Sequence, residues 1–227
     1  MTNFSMRSTR SDEPPKAVGE RWVRVTAMSS QLSRAEAWNL LTEWVESPSL
    51  RRHCLAVEAA MVGYARKLGA DEERWAVAGL LHDADYERFS DMDDTENGHP
   101  RTILRYLRER DADPEIVDAI AGHATFLDVP RETDMAKTLY AVDELSGFIV
   151  ACAYVRPEGI HGMTPKSVKK KLKTPAFAAA VNRDEVREGA EALGVDFDEH
   201  LAFVIASLEE RADELELHGK SAEPDPA

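Results

Sequence analysis

The sequence predicts an all-α helical bundle of about eight or nine helices. Helix-start signals recur along the whole chain, and apolar residues return at three- and four-residue intervals. Period-2 alternation is rare and β-branched clusters are few.

The elements follow in chain order. Residues 1–30 are polar, contain Pro14-Pro15 and lack periodicity, so they read as a mobile extension, with Met28 as an alternative start. Ser33-Arg34-Ala35-Glu36 has the form of a capping box, the serine accepting from the first turn and the glutamate returning the bond. A second helix begins near Ser49 and runs through Leu55, Ala59, Val62 and Ala65 to Gly69, a residue suited to the left-handed end of a helix. Asp71 can cap a third, with Trp75, Ala78 and Leu81 on one face. Pro100, after His99, and Pro114, after Asp113, each mark a first helical position. Ile116, Ile120 and His123 share one stripe of the latter helix. A long apolar helix spans roughly Asp134 to Val155, and Thr164-Pro165 opens a lysine-rich one. Two more follow, the last from Asp196 to about Leu217, and residues 218–227 read as a flexible tail. No repeat or long linker divides residues 31–217, which form one unit on this reading.

Composition narrows the function. The chain has 227 residues, 43% hydrophobic and 31% charged, enough to bury a sizeable core. Its 28 basic and 42 acidic residues give a net charge of −14, which repels nucleic-acid polymers but leaves room for a small anion at a local cationic site. Cys54 and Cys152 lie in apolar helical patterns, as buried thiols of a reducing compartment would. The apolar run from Phe148 to Val155 is far below the roughly 20 residues that span a bilayer. A soluble cytoplasmic protein without membrane contact is the expectation. Trp22, Trp38, Trp44 and Trp75 read as packing residues, since no basic interleaving surrounds them.

The chemistry resides in histidines and carboxylates. His53, His82-Asp83, His99, His123 and Asp143 follow one another at intervals of 29, 17, 24 and 20 residues, each on or beside a different helix. Side chains from several helices can converge in a bundle core, which is how bundle metal sites are made. Imidazole with carboxylate suits Mn, Fe, Co, Ni or Zn, whereas an all-oxygen set suits Mg or Ca. Six candidate ligands exceed the need of one ion, so one or two ions per chain are expected, with Asp83 as the bridge. Each residue also has an ordinary structural alternative. His53, His82, Asp83 and His99 can be polar residues at helix ends, and His123 a hydrogen-bonded core histidine. Asp143 sits in an apolar helix and needs a partner either way.

The ordered set His53, His82-Asp83, His99-Pro100, His123, Asp143 resembles the H…HD…H…H…D pattern of the HD-domain metal-dependent phosphohydrolase superfamily. The flanking segments GLLHDADYE, DAIAGHA and YAVDELSGFIVA are similar too. Together with SVKKK they resemble a subgroup of predicted HD hydrolases over residues 33–217. The resemblance implies an HD-domain helical bundle. It also implies one metal held by His53, His82, Asp83 and Asp143, and a second held by His99 and His123 with Asp83 bridging. Many members carry a lysine three positions after the aspartate of the HD pair, where this chain has Tyr86, and His123 is single where some two-metal members have paired histidines.

The implied reaction is hydrolysis of a nucleotide or other small phosphorylated metabolite by metal-activated water. Asp83 and Asp85 are the candidate catalytic carboxylates. Asp85 and Glu87 can act as proton carriers or as groups that orient the ligands, and both can equally be solvated acids of an acidic stretch. Arg131 and Arg156 are candidate substrate contacts. So are Lys169 and Lys170, which with Lys166 and Lys173 share one helix face and can instead be a solvated surface. His161 lies in a glycine-containing loop, and His200 and His218 read as surface residues. Two other functions fit the same ligands. One is a di-iron HD-domain oxygenase of a small substrate, and the other a non-catalytic metal- or ligand-binding module.

Overall fold

Capping decides where each helix of the computed structural model begins. The structure describes residues 32–219; the N-terminal extension, with Trp22 and Met28, and the tail beyond Gly219 lie outside them. Ser33 and Glu36 form the complete capping box of α1 (Arg34–Trp44). Ser47 caps α2 (Pro48–Leu68), which stops at Gly69 with φ 69°. Asp71 accepts from two amides at the start of α3 (Glu72–Leu81). Pro100 sits one position outside α4 (Arg101–Arg108) rather than inside it, and provides no side-chain cap. Asp113 caps α5 (Pro114–His123), and a 3₁₀ turn follows at Thr125–Leu127. Thr133 opens α6 (Asp134–Tyr154) and Thr164 opens α7 (Pro165–Leu172). Asn182 caps α8 (Arg183–Leu193) and Asp196 caps α9 (Phe197–Glu209). Nine α-helices and no strand occur among the described residues, so the fold is all-α.

The two 21-residue helices, α2 and α6, form the axis of the bundle. They pack on each other; α3 and α9 also lie on α2, and α5 and α8 on α6. Leu41, Met61, Leu80, Ile120, Leu139 and Phe148 are fully buried between them. Two glycines set the closest approaches. A Cβ at Gly79 of α3 would lie 2.7 Å from the Glu58 backbone of α2, and one at Gly189 of α8 would lie 2.5 Å from Ala141 of α6. Glu58, buried inside α2, is matched by Arg34 at 2.9 Å and Arg211 at 3.1 Å.

Two details differ from the sequence reading. The last helix ends at Glu209, and the chain goes on in hydrogen-bonded turns that bury Leu215 and Leu217. His200 is a core residue, only 1% exposed. It accepts from the Tyr64 hydroxyl at Nδ1 (2.6 Å) and donates from Nε2 to the Ala141 carbonyl (3.1 Å), so polarity did not imply exposure. His218 stays near the surface but stacks on His161 and bonds it at 2.9 Å. Cys54 and Cys152 are buried free thiols, as expected. Among the described residues, no helix is long and apolar enough to cross a membrane.

Candidate metal centre

His53 lies in the second turn of α2 and Asp143 in the middle of α6, so the axial pair supplies two facing groups. His82 is the C-cap of α3. In a continuing helix, adjacent side chains diverge by about 100°. Here the chain leaves the helix through tight turns, with Ala84 N donating to Leu81 O and Tyr86 N to Asp83 O, and both members of the pair reach the same space. His99 precedes α4 and His123 ends α5. The six side chains therefore come from five places in the chain and meet at one end of α3.

They form two groups, His53–His82–Asp143 and Asp83–His99–His123, each with donor atoms within 4.8 Å of one another. His53 Nε2 is 3.2 Å from His82 Nε2 and 3.0 Å from Asp143 Oδ1, and His82 Nε2 is 3.3 Å from the same oxygen. The two oxygens of Asp83 divide between the groups. Oδ2 lies 3.6 Å from both His53 and His82, while Oδ1 lies 3.3 Å from His99 Nε2 and 3.6 Å from His123 Nε2. Ligands bonded at about 2.1 Å to one transition-metal ion stand about 3.0–3.4 Å apart; the distances here run from 3.0 to 3.6 Å, those from Asp83 being the longer ones.

The outer nitrogens settle what the inner ones can do. His82 Nδ1 faces the Gly79 carbonyl at 2.8 Å, and His123 Nδ1 faces the Ile120 carbonyl. A carbonyl only accepts, so in each ring Nδ1 carries the hydrogen. A neutral ring held this way points a bare Nε2 lone pair inward, at carboxylate oxygens that also only accept, so either a proton or a metal ion must stand between them. His99 is oriented in the same way by Asp85, whose Oδ1 takes its Nδ1–H at 2.7 Å. Such a ring of acceptors calls for a cation at its centre. The protein's own electrostatics register the demand. Burial pushes the His82 pKa down, but Asp83 and Asp143 outweigh it and raise it to about 9. Burial alone would raise the pKa of Asp143, yet His82 and His53 hold it well below the usual carboxylate range.

The centre opens on a cleft of about 590 Å³. His53, Asp83, His99, His123 and Asp143 form its floor; Tyr86, Met92, Phe126 and residues 178–181 form its walls, with Glu144 and Glu185 among them. Gly147, one turn beyond Asp143, also lines the cleft beside the His53 ring. Burial, then the charge of Asp143, pushes the Glu144 carboxyl up to about 7. Sequence reasoning missed both glutamates. Glu144 had a usable signal, its position next to Asp143; Glu185 reaches the cleft only through the packing of α8 on α6.

The other expected site residues lie elsewhere. Asp85 is fully buried, with Oδ2 taking the Ile103 amide at 2.9 Å, so it orients His99 and does not reach the cleft as a proton carrier. Glu87 accepts from the Glu46 and Ser47 amides at the entry to α2. Arg131 lies over the Tyr140 ring and donates to Gly122 O; Arg156 donates to Gly159 O and His161 O. Lys169 pairs with Asp198, and Lys170 is exposed on α7. None of Arg131, Arg156, Lys169 and Lys170 lines the cleft; for the two lysines, α7 packs on α9 and α6. His161 likewise turns away, towards Glu209 and His218.

Comparison with known proteins agrees with this geometry. The family model of the HD domain matches residues 50–147, the interval that holds all six side chains. No curated protein and no solved structure matches the chain.

Proposed function

Since the chain is an HD-domain protein over residues 50–147, we propose that it is a metal-dependent phosphohydrolase acting on a small phosphorylated metabolite. The observation that carries the reading is the bridging position of Asp83, one oxygen turned to each group of ligands. His53, His82, Asp83 and Asp143 would hold one ion, and His99, His123 and Asp83 a second. Bound transition-metal ions supply an acidified water and a polarised phosphoryl oxygen.

The rest of the chemistry belongs to the chain. The Gly79 and Ile120 carbonyls and Asp85 fix the three imidazoles so that each offers Nε2 and none can turn away. His82, without exposed surface, lies buried behind the floor. The cleft above is large enough for a small metabolite, and Phe126, Met92 and the 178–181 segment give it apolar walls. Asp83 and Asp143 stay ionised beside their histidines and are held as ligands rather than as acids.

The test is phosphate release from a panel of phosphomonoesters by protein loaded with Mn or Co. Release that disappears in Asp83→Ala supports the proposal. Oxygen uptake by the iron-loaded protein, with no release from any ester, would replace it with the oxygenase reading.

A further inference from the structure

The walls of the cleft contain no lysine or arginine among the described residues. What they do contain, beyond the metal floor, is a pair of acids on the side formed by α6 and α8. Glu144 and Glu185 both line the cleft and are tied to one residue, Asn182. Its amide donates to Glu144 Oε2 at 3.0 Å and its side-chain nitrogen to Glu185 Oε1 at 2.8 Å. Each carboxylate is thus held in place by one oxygen. Around them stand the apolar groups Ala178, Ala179, Ala180 and Val181, with Phe126 among the other lining residues.

Charge decides what this wall tolerates. Two divalent ions would be largely offset by Asp83 and Asp143 on the floor and Glu185 on the wall, and among the described residues no basic side chain lines the cleft to receive a second anion. A phosphoryl group can be taken by the ions themselves. A second anionic group farther along the same substrate would meet carboxylates in a partly desolvated cleft, where like charges repel more strongly than in water.

We infer that the cleft selects phosphomonoesters whose leaving group is neutral or cationic, and rejects those bearing a second anionic group, with Glu185 as a specificity-determining residue. The inference rests on the phosphohydrolase reading for the phosphoryl end. Its test reads binding, so that the two fail separately.

Three phosphonates of equal chain length, ending in hydroxyl, ammonium or carboxylate, are titrated calorimetrically into the Mn-loaded full chain. The expected result is that the carboxylate compound binds at least tenfold more weakly than the hydroxyl compound, and the ammonium compound at least as tightly. Glu185→Gln narrows this ratio and Glu185→Lys reverses it. Equal or tighter binding of the carboxylate compound by the wild type overturns the inference, as does a ratio unchanged in Glu185→Lys, or binding of none of the three. Phosphate release from the matching hydroxyalkyl phosphate is measured in parallel. Selective binding without release removes the hydrolase reading and leaves the selectivity of the cleft standing.

Discussion

Asp85 illustrates how much a buried side chain can do without touching substrate. Its two oxygens take the His99 imidazole and the Ile103 amide, so it holds a ligand with one hand and the start of α4 with the other. Replacing it with alanine leaves two buried donors unpaired, at about 1–3 kcal/mol each. It also frees the His99 ring to rotate. Losing such an orienting partner typically costs about 10–100-fold in metal affinity. Titration of Asp85→Ala with Mn should show that loss in the His99–His123 site, and unchanged affinity would mean that His99 is positioned by something else. At this scale the sequence was legible where chemistry is local. The HD pair and the three other histidines announce themselves by type and order, and the structure brings all of them together. His200 did not, because a histidine in a mixed pattern looks the same whether Tyr64 and the Ala141 carbonyl await it or water does. Arg131 and Arg156 misled for the same reason: a guanidinium that caps carbonyl groups is indistinguishable in sequence from one that waits for phosphate.

Among the elements, α3 links packing to the site. Gly79 lets it lie against Glu58 of α2, and the carbonyl of the same residue fixes the His82 ring. A methyl group there meets backbone at 2.7 Å, which no side-chain rotation relieves. Gly79→Ala should therefore destabilise the fold by about 1–3 kcal/mol, the usual cost of overpacking. It should also weaken metal binding, because α3 must shift away from α2 and carry His82 with it. Urea unfolding and Mn titration of the same variant check both effects. Loss of stability with full metal affinity would show that His82 does not depend on the seat of α3. Helix starts were readable because capping is a matter of the nearest few residues: Ser33 and Asp71 cap as read, and helices open at Pro114, Pro165 and beside Asp196 as read. Helix ends were less so. The last helix stops at Glu209 although its apolar pattern goes on, since Leu215 and Leu217 reach the core through turns instead. The meeting of α6 with α8, which gives Glu185 its place in the cleft, had no local signature at all.

For the molecule as a whole, the centre is a clamp. Its six candidate ligands come from α2, α3, the turns before α4, α5 and α6, so two ions sharing Asp83 would tie together parts that otherwise meet only by packing. An ion that binds only the folded chain stabilises it by about 2.7 kcal/mol at a hundred times its Kd. For a chain of this size that raises Tm by about 5–10 °C. Thermal melts with Mn and with a chelator should differ by such an amount in the wild type, and by far less in His82→Ala. The all-α class was legible from periodicity and capping. The substrate was not, because the walls of the cleft come from segments that only the tertiary fold assembles.

The central claim is that six side chains form a site for cations with Asp83 shared between its halves. Equilibrium dialysis against Mn, with the bound metal counted per chain, tests it most directly. Two ions per wild-type chain are expected at saturation, and a collapse of both in Asp83→Ala, since each half loses an oxygen. Wild-type protein that retains no metal, or an Asp83→Ala variant that retains as much as the wild type, would contradict it.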